Sequence, residues 1–318
     1  MTWLTAADFA SAVDAATRAP SMHNSQPWRF RLADGHIDLL ADPARRLPVA
    51  DASGWASRLG CGAALFNLRL AVAMRAAPAA VRLLPDRNDP QLLARLTPEP
   101  PRPPTPTEQR LFRAIARRHS NRFPFLDKPV PVEVRAELVA AARAEQAWLD
   151  LLPGPAAVEA AAALVRTADD LLRRDRDYQA ELSAWTRPDA PTVDGVAESA
   201  GGPAPRPYDL LRRRDFGGSE LPAHRDFEQE PLLAVLGGAG DWPADQLQVG
   251  QALQRVLLTA TDLALAASMF SQPIEIPAVR EQLRLALGRH AAPQMVLRFG
   301  YAVPAPPSPR RPASEVID

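Results

Sequence analysis

The fold of this 318-residue chain is decided by the stretch APSMHNSQPW, which occupies residues 19–28. A helix end followed by a turn would account for the Pro-Ser pair, with Ser and Asn as caps and Pro27 as a stop. It would not account for residues 24–28 as a block. A second polar segment, RRHSNR at residues 117–122, lies about ninety residues downstream. Its three arginines alone would be typical of a solvated surface, but its His-Ser-x-Arg spacing favours a binding segment.

The two halves of the sequence are similar to each other at two offsets. Near the ends of two predicted helices, residues 13–16 (VDAA) match residues 139–142 (VAAA) at an offset of 126. Further on the offset is 188, and the matched pairs are Leu59/Leu247, Gly62/Gly250, Ala64/Ala252, Leu65/Leu253, Leu68/Val256 and Leu70/Leu258. The change in offset indicates about 62 extra residues in the second half. Internal similarity of this kind predicts two tandem, degenerate repeats.

Two segments, residues 59–77 and 247–270, are apolar on almost every side and are predicted to be buried helices. Polar and charged residues interrupt both segments too soon for a membrane span of about twenty apolar residues. The segments occupy equivalent places in the two repeats. We therefore expect them to pack against each other and to join the two halves into a pseudo-dimer within one chain.

Proline and glycine divide the chain further. Residues 98–107 are rich in proline and are predicted to form an extended linker, because proline fixes φ and restricts its neighbour. Residues 187–231, here called the inserted loop, are rich in Pro and Gly. A long irregular insert is usually a lid, a binding loop or a disordered segment, and both a lid and a spacer stay open. The predicted organisation is an N-terminal half (1–97), a linker (98–107) and a C-terminal half (108–318) that contains the inserted loop.

Charge and cysteine content exclude several classes of function. The 37 basic residues balance the 37 acidic residues, so no net field attracts nucleic acid or an anionic membrane. The single cysteine, Cys61, allows no internal disulfide and no zinc cluster, and its apolar surroundings are typical of a core residue. The N-terminus shows no basic leader, and no metal-binding, P-loop or nucleophile-elbow motif occurs. We expect a cytoplasmic protein with a small-molecule partner or none.

The two polar stretches resemble the FMN-binding motifs of the nitroreductase-like flavoproteins. In that family one subunit supplies the Arg-Ser segment, and the partner subunit reaches across with the Pro-Ser-Asn-Gln segment; here both lie in one chain, in reverse order. The resemblance implies that the phosphate and ribityl chain of FMN are held by Arg118, His119, Ser120 and Arg122. It also implies that the residues reaching the cofactor from the first half are Pro20, Ser21, Met22, Asn24 and Gln26.

Two further segments resemble parts of the same family. Residues 272–275 (QPIE) match a turn whose backbone N–H points at flavin N5, which implies cofactor contacts from Pro273, Ile274 and Glu275. Because Pro277 has no N–H, the donor is expected to be Glu275 or its successor; the alternative is a plain proline turn after a strand. Near the C-terminus, the basic segment that returns to the phosphate in the family is matched by Arg310 and Arg311.

The whole-length pattern resembles the fused, Acg-type branch of the nitroreductase family. It implies an α+β nitroreductase-like fold, with mixed or antiparallel central sheets, buried central helices and an inserted lid. It implies one FMN per chain, since the second repeat lacks the Pro-Ser pair and the Asn of the first. No metal is expected. Hydride transfer from NAD(P)H through flavin N5, without a catalytic side chain, would reduce a nitroaromatic or quinone-type acceptor. The alternative is a non-catalytic FMN storage or sequestration protein. Fusion allows a monomer and does not forbid a homo-oligomer.

Overall fold

The computed structural model describes residues 3–33, 35–188, 192–206, 208–218, 227–228 and 230–318. The chain has an α+β fold, in which helices pack with two four-stranded antiparallel sheets, and a two-stranded parallel pair lies in the second half. The first half contains helix α1 (Ala6–Thr17), strands β1 (Trp28–Ala33) and β2 (His36–Ala41), helix α2 (Trp55–Ala73), and strands β3 (Ala79–Leu83) and β4 (Leu92–Pro98). The four strands form one antiparallel sheet in the order β1-β2-β4-β3.

An irregular stretch at residues 99–105 precedes helix α3 (Pro106–Ile115), with which the second half begins. Its helices and strands follow in chain order as α4 (Val132–Ala144), β5 (Trp148–Leu151), α5 (Gly154–Arg174), α6 (Arg176–Trp185), β6 (Thr186–Arg187), β7 (Val196–Ala197), α7 (Glu198–Gly201), β8 (Leu232–Gly237), α8 (Pro243–Asp262), β9 (Ala266–Phe270), α9 (Gln272–Glu275), α10 (Pro277–Ala286) and β10 (Pro293–Gly300). The larger sheet has the order β5-β8-β10-β9, again antiparallel. Both halves therefore place a helix, two strands, a central helix and two strands in the same sequence and sheet order.

The central helices α2 and α8 cross where each has a glycine. A Cβ on Gly62 would lie 2.1 Å from the carbonyl oxygen of Leu247, and a Cβ on Gly250 would lie 2.2 Å from that of Leu59. The two contacts are reciprocal, and each pair of residues matches at the offset of 188. Close packing of the helices therefore requires glycine at both positions, and the expected helix-on-helix contact is present.

Several boundaries differ from those that the sequence predicts. Helix α2, expected to reach residue 77, ends at Ala73, where a turn follows. Residues 266–270, assigned with residues 247–265 to one apolar helix, form strand β9, because α8 ends at Asp262 and Ala264 takes a left-handed φ of 60°. An apolar run alone does not distinguish a buried helix from a buried strand. The extra residues of the second half also begin before the inserted loop, with α5 and α6 directly after β5.

The core is continuous across each half and contains Cys61, whose thiol is fully buried and donates to the carbonyl oxygen of Pro27 at 3.3 Å. Burial raises the pKa of this thiol far above its usual value, as for a core cysteine and unlike a nucleophile. Within the described parts of the chain, no helix is long and apolar enough to cross a membrane.

Candidate functional site

A cavity lies between the two halves. The loop between α1 and β1 supplies one wall, and the start of α2 supplies the next. The end of β9 and the turn after it face these, and the inserted loop covers the remaining side. The residues that carry the later arguments are Ser21, His23, Arg122, Arg214, Phe216 and Gln272.

The loop before β1 is held in a strained conformation. His23, Asn24 and Gln26 all have positive φ values, of 50°, 55° and 54°. Such values are uncommon outside glycine, and strained backbone of this kind clusters at functional sites. The hydroxyl oxygen of Ser21 accepts a hydrogen bond from the backbone N–H of Gln26 at 2.9 Å, which closes the loop on itself. Pro20, Ser21 and Met22 line the cavity.

The side-chain amides of Asn24 and Gln26 bind the protein's own backbone. Asn24 Nδ2 donates to the carbonyl oxygens of Gly195 and Pro309, at 2.9 and 3.0 Å. Gln26 Nε2 donates to the carbonyl oxygen of Val193 at 2.8 Å, and Gln26 Oε1 accepts from the N–H of Arg311 at 2.8 Å. These two side chains therefore fasten the inserted loop and the C-terminal segment onto the motif loop, and neither lines the cavity as expected from the motif.

Arg118 and Arg310 form a second feature beside the same loop. Nη2 of Arg118 donates to the carbonyl oxygen of Arg18 at 3.1 Å, and Nη2 of Arg310 donates to that of Ala19 at 3.2 Å. Among the described residues neither guanidinium has a carboxylate partner, and the Nε atom of each is buried without a hydrogen bond. Burial lowers the pKa of Arg118 to about 10; burial and then the charges of Arg118 and Arg18 lower that of Arg310 to about 9.

Two buried cations side by side are unfavourable unless an anion joins them. Guanidinium groups bind phosphate oxygens through paired, charge-assisted hydrogen bonds. The arrangement of Arg118 and Arg310 is thus chemically suited to a phosphate group. The loop backbone that they hold leads within two residues into the cavity wall at Ser21.

The rest of the RRHSNR segment is divided between the cavity and the scaffold. Arg122 lines the cavity, donates to the carbonyl oxygen of Ala200 at 2.9 Å and lies over the Phe216 ring at 5.0 Å. Burial, with the charge of Arg214, lowers its pKa to about 10. His119 donates through Nδ1 to Arg117 and accepts at Nε2 from the N–H of Ala305, so it ties the C-terminal segment down. Ser120 pairs through its backbone with Ala267 of β9.

The QPIE turn presents a different face to the cavity from the one expected. Pro273 and Ile274 are buried in the core, and the cavity wall is formed by Ser271 and Gln272. The backbone N–H of Glu275 donates to the carbonyl oxygen of Ser271 at 3.1 Å, so it is not a free donor. The Glu275 carboxylate accepts from Arg214 Nη2 at 2.6 Å and from the Tyr178 hydroxyl at 3.0 Å.

Arg311 also has a structural role. Its guanidinium pairs with Asp42 at 3.3 Å and with Glu315 at 3.4 Å, while its N–H binds Gln26. Of the two C-terminal arginines, Arg310 alone joins Arg118. No group of three or more metal-ligating side chains occurs within the described ranges.

Sequence reasoning missed the residues that the inserted loop brings to the cavity. Arg213, Arg214 and Phe216 line it, and parts of this loop at residues 189–191, 207, 219–226 and 229 lie outside the described residues. His23, inside the first motif, was passed over as well. The only signals were an aromatic residue and a run of arginines within a segment of Pro and Gly, which composition alone does not separate from a solvated surface.

Comparison with known proteins shows the family to which the sequence belongs. The family model described as "Nitroreductase family" matches residues 115–301, more than half of the chain. Over 316 residues the chain is 34% identical to "Putative NAD(P)H nitroreductase acg" of Mycobacterium tuberculosis strain ATCC 25618 / H37Rv, covering 96% of this chain and 94% of that protein.

A solved structure that matches most of the chain has the same fold. A crystal structure described as a "putative nitroreductase from anabaena variabilis atcc 29413" has a TM-score of 0.51 at 12% identity, covering 93% of this chain and 88% of that one. A nitroreductase with bound FMN from Desulfitobacterium hafniense DCB-2 has a TM-score of 0.43 at 15% identity, covering 66% of this chain and 97% of that one. On the family model and the relative that matches nearly its whole length, this chain belongs to the nitroreductase family.

Proposed function

We propose that this chain binds one FMN in the cavity between its halves and passes electrons from NAD(P)H to a small acceptor of the nitroaromatic or quinone type. The observation that carries the proposal is the pair Arg118 and Arg310: Arg118 is buried and Arg310 is half-buried, the Nε atom of each is buried without a hydrogen bond, and neither has a carboxylate partner among the described residues. Family membership and the two FMN-type motifs support the same cofactor.

The residues fit FMN in three respects. Arg118 and Arg310 would hold the phosphate, because among the described residues they are cations without a carboxylate partner and they hold the backbone of residues 18 and 19, next to the cavity wall. Pro20, Ser21, Met22 and Gln272 would border the flavin, because they line the apolar cavity. Arg122 would stabilise negative charge near the ring, since among the described residues its guanidinium pairs with no carboxylate.

Bound FMN would supply the hydride chemistry, accepting and passing on two electrons at N5. For a quinone, the balanced reaction converts NAD(P)H, one proton and the quinone into NAD(P)+ and the hydroquinone. The chain's own contribution is positioning and the exclusion of water. Trp55 and Phe270 supply apolar walls, and Glu275 keeps its carboxylate engaged by Arg214 and Tyr178.

A second candidate function, FMN storage or sequestration, is favoured by the inserted loop. Phe216 is only 4% exposed and contacts His23 edge-to-face at 6.1 Å, so the loop projects an aromatic side chain into the cavity. Asn24 fastens that loop at Gly195, and Gln26 fastens it at Val193. A nicotinamide that stacks on the flavin needs the loop to open.

An anaerobic titration separates the two functions. FMN-loaded protein receives NADPH and then NADH while the absorbance of oxidised flavin is followed. Bleaching by either nucleotide supports the reductase. Persistent absorbance that dithionite still removes supports sequestration, because the flavin is then reducible but closed to nicotinamide. A protein that takes up no flavin contradicts both.

We further propose that residues 1–97, 98–107 and 108–318 are the N-terminal half, linker and C-terminal half of an intramolecular pseudo-dimer. The matching sheet orders and the reciprocal glycine contacts support it. On this proposal a single chain forms a complete site, residues 187–231 act as its lid, and the protein works in the cytoplasm, where NAD(P)H is supplied.

A further inference from the structure

His23 is a buried polar side chain that the cofactor proposal does not use. It is 4% exposed and lines the cavity, yet neither ring nitrogen has a hydrogen-bond partner among the described residues. Buried polar groups in native proteins are nearly always paired. An imidazole with two unpaired nitrogens at a cavity wall therefore indicates a partner that enters the cavity.

The ring is neutral at physiological pH. Burial lowers the pKa of His23 well below its usual value, and the nearby charges of Arg214 and Arg122 lower it further. A neutral imidazole carries one N–H donor and one acceptor nitrogen. It therefore offers a hydrogen bond to an oxygen atom without adding charge beside the two arginines.

The backbone holds the ring in this place at a cost. His23 has φ of 50° and ψ of 19°, in the left-handed region, between two residues that fasten the loop, Ser21 and Asn24. The ring meets Phe216 edge-to-face, with centroids 6.1 Å apart and planes at 74°. His23 and Phe216 thus form a corner with an aromatic wall and a polar edge, on the side of the cavity that the inserted loop covers.

We propose that His23 determines acceptor specificity: its imidazole N–H donates to an oxygen of a planar acceptor, such as a quinone carbonyl or a nitro group, with Phe216 as the aromatic wall. This inference rests on the proposed reductase function. The hydrogen bond strengthens as the acceptor oxygen gains negative charge during reduction, so the residue favours acceptors that present an oxygen at this corner. Arg118 and Arg310 are not among the cavity-lining residues, so the corner is separate from the proposed phosphate position.

The test compares His23→Phe with the control His23→Asn. Phenylalanine keeps an aromatic ring but removes both nitrogens, whereas asparagine keeps a donor and tolerates positive φ. FMN-loaded protein is photoreduced without oxygen and mixed with 1,4-benzoquinone, and the reoxidation rate is followed against quinone concentration. Photoreduction makes the experiment independent of whether NAD(P)H gains access.

We expect His23→Phe to need about tenfold more quinone for half-maximal rate, the effect of one lost hydrogen bond, with unchanged flavin content and maximal rate within a few-fold. His23→Asn should stay near the wild type. If His23→Phe does not fold, His23→Gly removes the imidazole while relieving the backbone, and the same shift is expected, reversed by added imidazole.

Three results would overturn the inference. An unchanged concentration dependence in His23→Phe or His23→Gly would show that the ring does not contact the acceptor. Flavin loss in these variants, with retention in His23→Asn, would assign the ring to the cofactor. Wild-type protein that takes up no FMN would remove the inference together with the proposed function, whereas wild-type protein that binds flavin but resists NAD(P)H would remove only the donor.

Discussion

Arg118 is the residue on which the cofactor proposal most depends. Its side chain is buried beside Arg310, and the two donate to the carbonyl oxygens of consecutive residues, Arg118 to Arg18 and Arg310 to Ala19. Two cations this close to each other are unfavourable, and an anion that binds between them would relieve their repulsion. The sequence pointed to both residues through their motifs, but only the fold shows that no described carboxylate reaches them.

Replacing Arg118 with Ala should lower FMN affinity at least tenfold, because one charge-assisted hydrogen bond is worth about 1.5–3 kcal/mol. Fluorescence quenching of FMN during titration of the flavin-free protein measures it. Arg117→Ala is the matched control, since Arg117 is exposed and only weakly paired with Asp262 at 3.8 Å. Equal affinities for the two variants would place the phosphate elsewhere.

Asp169 on α5 gives a prediction about pH. Burial raises its pKa to about 6, although Arg173 and Arg212 lie at 4.0 Å. Between about pH 4 and pH 6 the folded protein therefore binds a proton at this site that the unfolded chain, with a carboxyl pKa near 3.9, has lost. This contribution to stability is present at low pH and is lost as the pH rises.

The free energy of unfolding of Asp169→Asn should accordingly rise relative to the wild type between about pH 4 and pH 6, and the difference should level off above pH 7. Urea denaturation across this range measures it. The exposed substitution Glu137→Gln controls for the removal of a charge. A difference that falls with pH would mean that the arginines, and not burial, dominate this carboxyl.

Several site residues could be read from the sequence and others could not, for one physical reason. Pro20, Ser21 and Met22 line the cavity, because the local backbone conformation of the loop before β1 places them there. Asn24, Gln26 and Glu275 bind protein groups instead. Their partners come from the inserted loop, the C-terminal segment and α6, distant segments whose approach no local pattern encodes.

At the scale of elements, the crossing of α2 and α8 holds the halves together. Gly62→Ala would place a Cβ 2.1 Å from the carbonyl oxygen of Leu247. Because this oxygen belongs to the backbone, no other side-chain rotamer can relieve the overlap. In an exposed helix this change would stabilise by about 1 kcal/mol; here overpacking should destabilise by about 1–3 kcal/mol or more. Urea denaturation measures the change, with the neighbouring Cys61→Ala as a control for core substitution. A stabilised Gly62→Ala protein would contradict the crossing.

The inserted loop gives a second prediction at this scale. Asn24 holds it at Gly195, and Arg45 holds it through an ion pair with Asp194 at 2.7 Å. Asn24→Ala should increase hydrogen–deuterium exchange at residues 192–197 and 305–311, because both segments lose an anchor. The exposed substitution Asn88→Ala should leave exchange there unchanged. Unchanged exchange in Asn24→Ala would mean that other contacts suffice to hold the loop.

The second half has no equivalent of the loop at residues 18–27, which lines the cavity before β1. Gln146 lies two residues before β5, as Gln26 lies two before β1, and both have positive φ, of 58° and 54°. The connection from α4 to β5 is only residues 145–147, whereas that from α1 to β1 is residues 18–27. Glu145 is buried in this short turn by ion pairs with Arg69 and Arg255, both at 2.9 Å. The turn is therefore too short to line a second cavity.

At the scale of the whole molecule, the sequence predicted the α+β class, the packing of two apolar helices and the nitroreductase family. The family resemblance came from the segments at residues 19–28 and 117–122, and the helix packing came from the repeat that includes Gly62 and Gly250, since a repeat offset is visible without structure. The strand at residues 266–270 and the helices α5 and α6 were not predicted, since apolar runs and composition do not determine the type of secondary structure. Two sheets of the same order, with a long cavity-lining loop in the first half alone, support the proposal of a single site.

The stoichiometry of FMN binding tests this account most directly. Flavin-free protein, with its concentration fixed by amino-acid analysis, is titrated with FMN while flavin fluorescence is followed. We predict an end point at one FMN per chain, with the Arg118→Ala variant failing to saturate in the same range. An end point at two per chain, or no binding at all, would contradict the single site between the halves.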